Sequence, residues 1–199
     1  ASKIEIIYDN IKREITFIDT PGHEAFSQMR GRGAQAADIC LLIISAVDGV
    51  MPQTKESIKI LKEAKIPYIV VLTKIDLPEI DVQRVKGELL KEKVMIEGMG
   101  GDVPLALVSA KTGKGVKELL ELSLLVYDMH PTEKKEDARL DSRLDSADPR
   151  RTARLDFFKA IIIESKLDPK VGPKATIVVK NGKVSLKDEL TSEKIRAKV

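Results

Sequence analysis

The stretch IVVLTKID, Ile69 to Asp76, decides the fold. Its first four residues are apolar without alternation, as expected of a strand covered on both faces in a parallel sheet, and a lysine and an aspartate follow where that strand would end. Two further runs have this form. Ile39 to Ile44 lies upstream, and Leu105 to Val108 lies downstream and runs into Ser109-Ala110-Lys111. Apolar residues recur at helical spacing in the intervals, at Ile58, Leu61 and Ala64, then Val82, Val85 and Leu89, then Val116, Leu119 and Leu120. Pro52 suits a helix start and Pro67 a helix end. Strand and helix alternate, which predicts an α/β domain with a mostly parallel sheet and flanking helices.

Upstream of this core, Lys3 to Tyr8 and Arg13 to Ile18 are β-rich runs separated by the turn formers Asp9 and Asn10, so the opening reads as an antiparallel hairpin. Asp19 then sits at a strand end. Downstream, composition changes at about Asp128: the stretch to Asp156 is charged, lacks aromatics and nearly repeats Leu140-Asp141-Ser142 as Leu144-Asp145-Ser146, the pattern of a solvated linker. Beyond it, Phe157 to Glu164 and Ala175 to Val179 read as strands, and Asn181-Gly182 reads as a two-residue hairpin turn into Lys183 to Leu190. Three regions result: 1–127, an α/β domain; 128–156, a linker; and 157–199, an all-β region too short to close an ordinary barrel by itself.

The chain has 199 residues, with 34 lysines and arginines against 31 aspartates and glutamates, a net charge of +3. That balance does not diagnose a nucleic-acid binder. Cys40, the single cysteine, lies inside an apolar run, which excludes a disulfide framework and suggests a buried, inert thiol in a reducing compartment. No apolar stretch approaches the roughly 20 residues that span a bilayer, so no membrane is expected and the cytoplasm or an organelle matrix is. Ala1 opens the chain and strand-like sequence follows at once, so the chain reads as a fragment.

Three short motifs carry chemistry. DTPGHEAF, Asp19 to Phe26, places a carboxylate at a strand end, where it can hold magnesium through water. Its Pro21-Gly22 turn can bring a backbone N–H close to an anion. TKID, Thr73 to Asp76, and SAK, Ser109 to Lys111, each follow a buried strand, and ligands of open α/β sheets bind just past such carboxyl ends. A carboxylate accepting two hydrogen bonds can read the adjacent N–H and NH₂ donors of guanine, which adenine lacks, and Asp76 suits that role. The stem of Lys74 can cover the base plane, while the N–H groups of the Ser109-Ala110 turn can donate to the guanine carbonyl.

D-x-x-G, then [N/T]-K-x-D, then S-A-K, in this order and on these strand ends, resembles the signature of the GTPase superfamily. His23 after the glycine resembles its translational branch. DTPGHEAF with RGAQAAD and DGVMPQT, and IIIESKLDPKVGPKATIVVKNG from Ile161 to Gly182, are similar to bacterial-type initiation factor two. The resemblance implies a P-loop GTPase-type domain followed by part of a β-barrel domain. It implies GTP or GDP with Mg²⁺ at Asp19, Thr20, Pro21, Gly22, His23, Thr73, Lys74, Asp76, Ser109, Ala110 and Lys111. Asp19 would hold the metal through water, the Gly22 N–H would meet the γ-phosphate, and His23 would orient the attacking water. It also implies a ribosome partner, initiator tRNA held by domains absent here, and a monomer in the complete protein. An elongation-factor-type GTPase and a non-catalytic binding or structural piece are the alternatives. His130, Arg30 and Arg32 read as surface residues.

The chain departs from the family in three places. Thr73 stands where asparagine is usual, the linker is long, and no G-x-x-x-x-G-K-[ST] occurs, Gly113-Lys114 not being one. The resemblance places that phosphate loop and the sheet's first, central strand upstream of Ala1. Unpaired buried strand groups cost about 1–3 kcal/mol each against about 5–15 kcal/mol for a whole domain, so the isolated chain is expected to be inactive and unstable.

Overall fold

A computed structural model of the chain describes residues 2–20, 33–34, 36–130, 159–170, 172–185, 188–192 and 195–198. They fall into two compact units, residues 1–134 and 135–199.

The first unit is built around strand β4, Tyr68–Thr73, which pairs in parallel with β3, Cys40–Ser45, on one side and with β5, Leu105–Leu107, on the other. Val70 and Leu72 point to one face of this sheet, where Ile58 and Leu61 of α1, Pro52–Ala64, and Val85 and Leu89 of α2, Val82–Lys91, complete a buried cluster. Ile69 and Val71 point to the other face and meet Val126 of α3, Val116–Met129. The unbroken apolar run thus has the predicted cause: β4 is sandwiched by helices and its Ile69 to Leu72 have no exposed surface. Strand β3 departs from that expectation, because Ile43 is 55% exposed. It lies on the α3 side of an outer strand, and the described part of α3 covers β4 and β5 instead.

Pro52 begins α1, with the Met51 N–H donating to Thr54 Oγ1 at 3.2 Å. Lys65 ends the helix in the left-handed conformation, φ 53°, with Pro67 two residues on. Asp81 caps α2 by accepting from the Arg84 N–H at 2.9 Å. Helix α3 continues through Met129, past the composition change read at Asp128, because Val126 still packs in the core and its carbonyl still accepts from the His130 N–H.

Strands β1, Ser2–Tyr8, and β2, Ile11–Phe17, form the expected antiparallel hairpin, and Asp9 and Asn10 both take positive φ as its two-residue turn requires. They form a sheet of their own, and Arg13 ties it to α3 through an ion pair with Asp128 at 2.7 Å.

In the second unit β6, Lys159–Asp168, pairs antiparallel with β7, Gly172–Asn181, and β8, Glu189–Ser192, pairs with β9, Ile195–Lys198. Asn181-Gly182 is therefore not the head of a hairpin. Gly182 does take φ 81°, but no strand follows it directly: a second turn intercepts the chain, the Ser185 N–H donating to Asp188 Oδ2 at 2.7 Å, and β8 begins only at Glu189. The linker from 131 to 156, with Phe157 and Phe158, lies outside the described residues.

Candidate nucleotide site

The carboxyl ends of the three parallel strands bring two of the three motifs together. The Val108 N–H donates to the Leu72 carbonyl at 2.8 Å and the Ile75 N–H to the Val108 carbonyl at 3.4 Å, so the loops after β4 and β5 are stitched by backbone. A side-chain bond completes the junction: Ser109 Oγ donates to Asp76 Oδ1 at 2.6 Å. Ser109 is fully buried, and its oxygen also accepts from the Thr112 N–H at 3.2 Å. That hydroxyl, joined by the backbone N–H of Asp76, holds the exposed Asp76 carboxyl below the usual aspartate range, so it presents an anion.

The Ser109 N–H is not available to a ligand, because it donates to the Lys114 carbonyl at 2.9 Å. Ala110 and Lys111 have N–H groups with no acceptor among the described residues. The turn is closed by Gly115, at φ 75°, where a Cβ would collide with the Leu107 carbonyl. Sequence reasoning passed over this glycine, although its place between a strand end and a helix start was the signal.

Thr73 Oγ1 donates to the Ile44 carbonyl at 3.3 Å, and the Ala46 N–H donates to the Thr73 carbonyl at 3.0 Å. The hydroxyl in place of the usual amide thus ties this loop to β3. Lys74 takes φ 62°, and its ammonium sits 3.0 Å from Asp48 Oδ2. Asp48, Arg84 and Glu88 were not among the expected site residues. The i,i+4 spacing of the last two, and the position of Asp48 just past a strand end, are the sequence signals for them.

Asp19 and Thr20 follow β2. Asp19 is exposed and makes no hydrogen bond or ion pair with the other motifs among the described residues. An exposed carboxylate fits contact with a magnesium ion through water, but one carboxylate does not complete a shell. Among the described residues no three His, Cys, Asp or Glu side chains cluster as metal ligands. Pro21, Gly22 and His23 lie outside the described residues, as do Arg30 and Arg32. His130 caps α3, with Nδ1 3.1 Å from the Val126 carbonyl.

The family model described as the elongation factor Tu GTP binding domain matches residues 2–129. The chain belongs to that family. It is 44% identical over 188 residues to translation initiation factor IF-2 of Thermotoga sp. (strain RQ2), covering 94% of this chain and 25% of that protein. It is 44% identical over 181 residues to IF-2 of Petrotoga mobilis (strain DSM 10674 / SJ95), covering 90% and 23%. The chain thus spans about a quarter of the length of these relatives. A crystal structure of GDP-bound aIF5B from Aeropyrum pernix is similar at TM-score 0.61 and 25% identity, covering 88% of this chain and 32% of that one. Translation elongation factor SelB from Methanococcus maripaludis, in complex with the GTP analogue GPPNHP, shares the fold at TM-score 0.58 and 24% identity, covering 94% and 37%. A translational GTP-binding domain accounts for the parallel sheet, its helices and the placing of both loops at the strand ends.

Proposed function

We propose that the complete protein is a translation initiation factor of the IF-2 type. It binds GTP, hydrolyses it on the ribosome in the cytoplasm and promotes initiator tRNA binding and subunit joining. The observation that carries this reading is the junction of Asp76 with Ser109, beside the open Ala110 and Lys111 N–H groups. An anionic acceptor and two donors past the ends of adjacent parallel strands match the N–H/NH₂ edge and the carbonyl of guanine. Lys74 covers the base plane with its stem. Asp19 holds magnesium through water, Gly22 offers its N–H to the γ-phosphate and His23 orients the attacking water. Phosphoryl transfer depends mainly on position and charge, so His23 need not be a strong base.

Asp76→Asn tests the base contact. In the protein with its natural upstream sequence, competition between guanine and xanthine nucleotides should shift towards xanthine, because an acceptor becomes a donor. Retained guanine preference would remove Asp76 from base recognition. His23→Ala should keep nucleotide affinity and slow ribosome-stimulated hydrolysis, which a multiple-turnover phosphate-release assay reads. The present chain holds no phosphate-loop sequence, so by itself it should neither grip the β- and γ-phosphates nor hydrolyse GTP. Micromolar binding of fluorescent GDP to it would overturn that expectation. Strands β6 to β9 would belong to a β-barrel domain following the GTP-binding domain. The likeness to SelB, at 24% identity, speaks only to the fold, whereas the 44% identity to IF-2 favours initiation over the elongation-factor reading.

A further inference from the structure

The loop after β3 is held more firmly than a surface turn needs. The Asp48 N–H donates to Ser45 Oγ at 3.2 Å and the Gly49 N–H to the Ser45 carbonyl at 2.9 Å. From α2, Glu88 Oε2 accepts from the Val50 N–H at 2.8 Å, while Arg84 Nη2 donates to the Val47 carbonyl at 2.6 Å. Arg84 and Glu88 also pair with each other at 2.8 Å. Gly49, at φ 75°, lies directly on this pair, and a Cβ there would meet the Glu88 carboxylate and come within 3.0 Å of Arg84 Nη1. The clamp therefore grips the Val47 carbonyl and the Val50 N–H on either side of Asp48 and Gly49, and the positive φ between them favours the glycine.

What the clamp presents is Asp48, whose carboxylate faces Lys74 at 3.0 Å on the neighbouring loop. Lys74 has a positive φ of 62°, a conformation that costs a residue with a side chain and persists only where surrounding contacts enforce it. One such contact is the Leu77 N–H donating to the Lys74 carbonyl at 3.2 Å. Another is the Ile75 N–H donating to the Val108 carbonyl at 3.4 Å, while the ion pair fixes the far end of a side chain that would otherwise sample many rotamers.

We propose that Asp48 is a positioning residue for nucleotide binding: it holds the Lys74 ammonium so that the lysine's stem is already in place to cover the base, with the Arg84–Glu88 clamp on α2 holding Asp48 in turn. This rests on the guanine-site reading above. The Ser45 hydroxyl, then Lys74, then the charge of Arg84 favour the Asp48 carboxylate. Pre-organising one flexible side chain lowers the ordering cost of binding and appears mainly as slower ligand release.

The test is stopped-flow release of fluorescent GDP from the protein with its natural upstream sequence. Asp48→Asn should speed release about threefold, the scale of an exposed ion pair, with an unchanged melting temperature and unchanged guanine-over-adenine preference. Raising the salt should bring wild-type release up to the variant's rate and leave the variant's rate flat. Asp48→Glu should restore slow release at low salt. In a Lys74→Ala background, Asp48→Asn should have no further effect. Equal release rates for wild type and Asp48→Asn, or an Asp48→Asn effect that survives in Lys74→Ala, would overturn the proposal. If Asp76→Asn kept guanine preference, the site reading itself would fail, and that result is separate from any Asp48 result.

Discussion

Strand β4 and the β1–β2 hairpin are both apolar-rich strands of the same unit, yet they are held in opposite ways. Ile69 to Leu72 are wholly buried between helix layers, whereas in the hairpin Ile7 is 77% exposed and the inward-facing residues are only half-buried. Lys3–Glu14 and Lys12–Glu5 ion pairs lace the hairpin's surface, and Arg13–Asp128 joins it to α3. Such exposed pairs contribute little, screened as they are by solvent, while a fully buried leucine contributes about 1.5–3 kcal/mol by burial alone. The TKID loop thus grows from the most firmly packed strand and Asp19 from a lightly anchored one.

The largest effect that would sharpen this contrast is on stability. Leu72→Ala should cost about 2–5 kcal/mol in denaturant unfolding, and Ile7→Ala about 0.5 kcal/mol or less; similar costs would erase the distinction. Native-state hydrogen exchange should rank the amides likewise, β4 slowest and the hairpin fastest.

Gly115→Ala comes next, since it places a Cβ against the Leu107 carbonyl at a positive φ. Destabilisation of about 1–3 kcal/mol is expected by thermal melting, with guanine preference weakened because the Ser109 turn must move. A variant that melts with the wild type would show that the turn has room the geometry denies it.

Acid titration probes the same junction. The Asp76 carboxyl is depressed in the folded state, so its contribution is complete above the ordinary aspartate value of about 3.9 and is lost as pH falls through the lower folded value. Ser109→Ala removes the first cause of that depression, so the variant should be less stable than the wild type near neutral pH and lose less of its stability on acidification. Superimposable profiles of melting temperature against pH would mean that the hydroxyl does not set the Asp76 charge.

Two smaller effects follow. Arg13→Ala should cost little, and the loss should shrink in high salt; a salt-independent loss would point to packing of the arginine stem instead. Burial pushes the half-buried Cys40 thiol up to about 11, so iodoacetamide should label it slowly at pH 8 in the native protein and quickly in denaturant.

The α/β architecture was legible because β3, β4 and β5 are unbroken apolar runs and Pro52, Pro67 and the helical spacing of Val82, Val85 and Leu89 mark the helices between them. These are local signals: a residue's period and its neighbours along the chain are enough to read them. Asn181-Gly182 misled because a turn signal states only what the backbone can do locally, while whether a strand follows it is set by the residues beyond, where the chain turns again at Ser185.

Of the candidate site, the residue types in TKID and SAK and their order along the chain were determined by the sequence alone, since strand ends can be read from apolar runs. Which donor meets which acceptor was decided only in the tertiary structure. There Ser109 gives its hydroxyl to Asp76 and its N–H to Lys114, Thr73 turns to Ile44, and Asp48 reaches Lys74 from another strand. The physical reason is that these bonds join groups far apart in sequence whose distance is set by sheet register and helix packing. No local pattern of residues encodes that distance.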